Sequence, residues 1–134
     1  MASTFRLQII TPNRTFYDDE AESLVVTTME GEMGVLAKHI PIVTQLAVGK
    51  IKIKKNGQYK IAAASEGFVK VDSESTRIVM DSAEWPEEID VQRAEAAKKR
   101  AEERIESKES HVDIARAKAA LCRATNRLSV AGRS

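Results

Sequence analysis

A chain of 134 residues suits one modest domain or a small domain with an appendage, and leaves no room for a large two-domain enzyme. Hydrophobic residues make up 43% and charged residues 31%, enough for a packed core, while 21 basic against 20 acidic residues leave a net charge of +1 that argues against nucleic-acid binding driven by bulk charge. The single cysteine, Cys122, excludes an internal disulfide framework and a cysteine-rich zinc site, and no run approaches the roughly 18 apolar residues of a spanning helix, so the expectation is a soluble protein able to sit on a membrane complex.

In chain order, Phe5, Leu7 and Ile9 alternate with polar residues, the pattern of a strand with one buried face. Thr11-Pro12-Asn13 ends it as a turn. Leu24 to Thr28 is a second apolar, β-branched run, and after it Glu30 and Glu32 stand in a glycine-punctuated loop, either solvated or in contact with a partner. Ile51 and Ile53 alternate again before Asn56-Gly57, a hairpin turn whose residues both tolerate positive φ. Tyr59 to Ala63, Phe68 to Val71 and Thr76 to Met80 complete the series. Short strands at this spacing predict a small β-sandwich or barrel over residues 1–83.

Composition then changes. Residues 1–83 carry 20 charges and five of the six glycines, whereas the last 51 residues carry 21 charges and ten alanines between 94 and 131, so helix-favouring sequence replaces turn-rich sequence. A junction is expected at 84–88, where Pro86 disfavours helical geometry at Trp85. Beyond it, residues 89–105 and 112–128 are one helix written twice: eight of 17 positions are identical at an offset of 23, with Asp90 and Asp113 as N-caps in register. Ala94, Ala97, Ala101 and Ile105 in the first copy, and Ala117, Ala120, Ala124 and Leu128 in the second, form seams of small residues that predict an antiparallel two-helix hairpin over 89–134. Alanine buries little area, so the hairpin is expected to be thin.

Arg93, Arg100 and Arg104 recur as Arg116, Arg123 and Arg127, each set to the same side of its seam. Packing through equivalent seams puts all six guanidiniums on one broad face, which is either a solvated charged surface or a seat for a polyanion such as a nucleoside triphosphate. There is no Gly-x-x-x-x-Gly-Lys-[Ser/Thr] loop, no Gly-x-Gly-x-x-Gly, and no evident carboxylate set to hold magnesium and place a water, so a nucleotide here is a ligand and not a substrate. His39 and His111 lie 72 positions apart with no metal-ligand spacing, and Cys122 is alone; catalysis is not expected of them.

Two stretches carry a family pattern. Gly31-Glu32-Met33-Gly34-Val35-Leu36 followed by His39-Ile40-Pro41-Ile42-Val43-Thr44 resembles the signature segment of the epsilon subunit of the F-type ATP synthase, and Ile89-Asp90-Val91-Gln92-Arg93-Ala94 is similar to the Ile/Leu-Asp-x-x-Arg-Ala motif of its ATP-binding bacterial members. Asn126-Arg127-Leu128-Ser129-Val130 resembles their ending, and Ala37-Lys38 stand where the family often has Pro-Gly. The resemblance implies a non-catalytic rotor subunit, peripheral on the cytoplasmic side of the bacterial cell membrane. Its sandwich would bind the gamma subunit and the c-subunit ring, with Glu30, Glu32 and His39 in the rotor contact. Its hairpin would regulate ATP hydrolysis by extending into the alpha/beta catalytic hexamer. It further implies a regulatory ATP site at Glu84, Ile89, Asp90, Arg93, Arg100, Arg116, Arg123 and Arg127, with or without magnesium, and no required cofactor. A free-standing nucleotide-sensing adaptor is the alternative.

Overall fold

The computed structural model describes residues 3–38, 40–107 and 113–132. Ten strands come first: β1 (Phe5–Ile10), β2 (Thr15–Ala21), β3 (Ser23–Thr28), β4 (Gly31–Leu36), β5 (Ile42–Leu46), β6 (Gly49–Lys55), β7 (Gln58–Ala64), β8 (Gly67–Val71), β9 (Ser75–Met80) and β10 (Ala83–Glu84). A single turn of 3-10 helix, Pro86–Glu88, precedes helices α1 (Val91–Ser107) and α2 (Ile114–Val130). The chain divides into two compact units, Met1–Glu84 and Trp85–Ser134. Glu84, expected in the junction, lies in β10 opposite Ala63 of β7.

The strands form one sheet in the order β10-β7-β6-β3-β5-β8-β9-β1-β2, with β4 added to β3. Only β1 and β9 pair in parallel among the described strands. The sheet curls until the segment after β2 meets β6: the Glu22 N–H donates to the Lys54 carbonyl at 2.7 Å, and Lys55 pairs with Asp19. The result is a nearly closed barrel or sandwich. Period-2 alternation drives it, since β9 reads exposed-buried from Ser75 to Met80 without a break. Leu7, Ile9, Leu24, Val26, Ile51, Ile53, Val69, Val71 and Ile78 are each at most 1% exposed. Burying each such side chain contributes roughly 1.5–3 kcal/mol.

Asn56 and Gly57 take φ values of 52° and 74°, the doubly left-handed turn that the Asn-Gly pair predicts. Four strands, β2, β4, β5 and β10, lie outside the runs expected from the sequence. β4 occupies the segment read as a glycine-punctuated loop, because Gly34 sits in the ladder opposite Val25 and an outer strand tolerates a residue without a side chain. β2 carries Asp18, Asp19 and Glu20 and shows no apolar run, yet Phe16 and Ala21 are buried and its backbone pairs with β1 on either side of a register shift at Phe16.

α1 and α2 are each 17 residues long and pack along one another. Ser107 to Asp113 is six Cα steps, at most about 23 Å, too short to return along a helix of about 25 Å, so the two helices run antiparallel.

Candidate functional site

The candidate nucleotide face is built by two helix starts. Asp90 Oδ1 accepts from the Arg93 N–H at 3.0 Å, and Asp113 Oδ1 accepts from the Arg116 N–H at 3.1 Å. Each aspartate therefore caps its helix through the third helical residue, and that residue is an arginine in both copies. Neither helix has an acidic residue in its first turn. A cation there faces the positive end of the helix dipole, an arrangement that costs a few tenths of a kcal/mol to about 1 kcal/mol each and is not what helix stability selects.

The seam is as thin as alanine makes it. Ala94, Ala101, Ala117, Ala124 and Leu128 are buried, while Ala97, Ile105 and Ala120 are half-buried. Both helices run unbroken past all six arginines, so the periodicity that sets them to one side of each seam is kept. Arg93, Arg100, Arg104 and Arg116 are exposed; Arg123 and Arg127 are half-buried and not without partners. Ile89 is buried, and its N–H closes the 3-10 turn on the Pro86 carbonyl at 3.3 Å. Glu84 is half-buried in the first unit, and the other residues named for this site belong to the second. Among the described residues no cluster of three or more His, Cys, Asp or Glu could hold a metal.

The candidate rotor contact is the β3–β4 hairpin. Met29 and Glu30 form its tip, where the Thr28 hydroxyl donates to the Gly31 carbonyl at 2.7 Å and accepts the Glu30 N–H at 3.1 Å. Gly31 holds φ 122°, a conformation open to glycine. Glu30 is in the turn and Glu32 in β4 opposite Thr27, both exposed; the expectation of a common loop is corrected to a strand and its turn. Met29 at the tip is 70% exposed, and farther along the chain Leu36 is 63% and Ile40 79% exposed. His39 lies outside the described residues.

Comparison with known proteins adds to this geometry. The family described as ATP synthase, Delta/Epsilon chain, beta-sandwich domain matches residues 4–86, and the long alpha-helix domain of the same chain matches residues 87–132. The chain is 53% identical over 130 residues, 97% of each protein, to the ATP synthase epsilon chain of Alkaliphilus metalliredigens. To that of Alkaliphilus oremlandii it is 63% identical over 105 residues, 78% of each. Among solved structures it resembles a chain of the Euglena gracilis mitochondrial ATP synthase, in an assembly that includes the c-ring, at 25% identity and TM-score 0.84 over 96% of this chain and 82% of that one.

Proposed function

Because this chain belongs to the ATP synthase delta/epsilon family, we propose that it couples the gamma subunit to the c-subunit ring and restrains ATP hydrolysis through an ATP-sensing hairpin. As an epsilon subunit of the central stalk it is a non-catalytic part of the synthase and not itself the enzyme. Its place is peripheral on the membrane complex, on the cytoplasmic side of a bacterial cell membrane. No described helix is long and apolar enough to cross a membrane. Glu30, Glu32 and His39 meet the ring, with Met29 supplying apolar contact at the tip.

One observation carries the nucleotide reading: arginines at matching positions of two capped helices, beginning in first turns where helix stability opposes them. Arg93, Arg100, Arg116, Arg123 and Arg127 bind the phosphates with forked donors. Ile89 offers the base an apolar surface, and Asp90 accepts from donors on base or ribose. Magnesium, where present, comes with the nucleotide, as the described residues offer it no cluster of ligands. With ATP gone, the same basic face meets acidic segments of the alpha/beta hexamer.

Calorimetric titration of the full chain with ATP tests the site. Arg93→Ala and Arg123→Ala each remove a charged hydrogen bond worth about 1.5–3 kcal/mol and weaken binding roughly tenfold or more. Lys118→Ala, an exposed cation on the opposite flank of the α2 seam, leaves it unchanged. Equal affinity in all three variants makes the stripe plain solvated surface. Recovery from solubilised membranes with gamma and c subunits supports the rotor role; ATP binding by a protein never recovered with them supports the free-standing adaptor.

A further inference from the structure

The outer face of the sandwich holds a second cationic arrangement, far from the hairpin in sequence. The ladder sets Asp18, Gln8, Arg77, Lys70 and Val43 in one row across β2, β1, β9, β8 and β5. They share the face opposite Leu7, Ile9, Val69, Val71 and Ile78, which fill the core. Lys70 therefore stands directly beside Arg77, a like-charge cross-strand pair that destabilises a sheet. Within the row, their other neighbours carry no opposite charge. Lys70 has Val43 on its other side, and Arg77 has Gln8.

Arg6, one step along β1, is spent on Asp18: its Nε and Nη2 donate to Oδ1 at 3.0 and 2.6 Å. Arg77 instead gives its Nε to Gln8 Oε1 at 3.3 Å, a neutral acceptor that aims the guanidinium without cancelling its charge. A cleft of about 230 Å³ lies beside the row, lined by Arg6, Gln8, Lys70, Asp72, Ser75, Thr76 and Arg77. Lys70 and Arg77 are two cations without an adjacent carboxylate in their row, the charge that a phosphate dianion balances. Ser75 adds a hydroxyl donor from the same exposed face, and the Asp72 carboxylate on the lining limits the net positive charge offered to an anion.

We propose that the Lys70–Arg77 row and its cleft form an oxyanion site on the sandwich that takes inorganic phosphate or the phosphoryl group of a small monophosphate ester. The site is complete within the first unit and does not depend on the ATP reading of the hairpin. Repulsion between the two cations is the cost that the bound dianion reverses, and Gln8 holds Arg77 ready for it.

Amide NMR of the full chain, titrated with sodium phosphate and separately with glycerol phosphate against sodium chloride of matched ionic strength, tests this. Saturable shifts at Gln8, Lys70 and Arg77 are expected with one or both phosphates; a response to inorganic phosphate identifies the free anion, and a response to glycerol phosphate alone identifies an ester. Lys70→Gln and Arg77→Gln, both at exposed positions, each weaken the response about tenfold, whereas Arg93→Ala on the hairpin leaves it intact. Shifts reproduced by chloride, no saturable response to either phosphate, or saturation in both sandwich variants at the same phosphate concentration as in the unaltered chain would overturn the proposal.

Discussion

Lys38 shows what a single residue costs. It holds φ 61°, the left-handed region that favours glycine, and its N–H reaches the Ser73 carbonyl at 3.1 Å, so the segment after β4 is tied to the β8–β9 turn through a strained residue. Lys38→Gly removes a strain of roughly 1–2 kcal/mol and adds some unfolded-state entropy, for a net gain of about 1 kcal/mol that thermal unfolding reads as a rise of several degrees. No rise would mean that the surrounding contacts already relieve the strain. Gly67 behaves oppositely: a Cβ there overlaps the Val79 carbonyl and approaches Met80 Cα at 2.7 Å, so Gly67→Ala overpacks a backbone contact and costs about 1–3 kcal/mol. The ion pair that helps close the barrel sets a pH limit. The hydrogen bond from Lys55 is the main cause that lowers the Asp19 carboxyl below its ordinary value, and the same bond raises Lys55. In the unfolded chain Asp19 binds its proton more readily, so its contribution is fully present above a pH of about 4 and is lost as acid passes through the lowered folded value. Lys55 contributes below its unfolded value and loses its part as pH rises through the raised one. Both groups are exposed, so Asp19→Asn flattens the acid limb of unfolding midpoint against pH only slightly, and less at high salt.

At the scale of elements, the two units differ in what holds them. The sandwich buries branched aliphatics on both sides of its core, while the hairpin buries mainly alanine methyls and depends on its caps. Asp113→Ala and Asp90→Ala should each cost about 1 kcal/mol of hairpin stability, visible as faster amide exchange in the first turns, with the sandwich unaffected. A chain ending at Glu84 keeps β10 on β7 and should melt cooperatively by itself; an unfolded fragment would show that the sandwich needs the helices. Elements whose signal is local were legible in the sequence. β1 and β6 announce themselves by alternation, β9 by its apolar and β-branched run, Asn56-Gly57 by turn chemistry, and α1 and α2 by duplication and acidic caps. β2 was not, because its face is chosen by pairing with β1 and its charges find Arg6 and Lys55 only in the fold. β4 was hidden by Gly31 and Gly34, which read as turn residues when stripped of their ladder. The same distinction runs through the sites. The hairpin arginines repeat along the chain and can be seen there, whereas the row of residues 18, 8, 77, 70 and 43 exists only once the register of five strands is known.

At the scale of the whole molecule, a thin seam beneath the proposed arginine face is suited to a ligand-set equilibrium. Repulsion across the arginine face favours separation, and ATP, bringing several negative charges, reverses the sign of that interaction. If ATP binds only a compact state of the hairpin, a concentration about ten times its dissociation constant stabilises that state by about 1.4 kcal/mol, roughly a tenfold shift in a near-balanced equilibrium. An extended hairpin is the proposed brake on hydrolysis, so high ATP should release the brake and low ATP should set it, with the effect weakening as salt screens the face. The exposed Cys122 on α2 accepts one fluorophore. The partner label cannot go at Ser65, which is 4% exposed and accepts the Ser82 N–H at 2.7 Å, but Asn13→Cys in the exposed β1–β2 turn leaves the core and ladder untouched. ATP should narrow the distance distribution between the two labels toward its short end, and Arg123→Ala should require more ATP to do so. A distribution that ignores ATP, in a chain shown by calorimetry to bind it, would leave ATP a passive ligand of the hairpin and remove the switch.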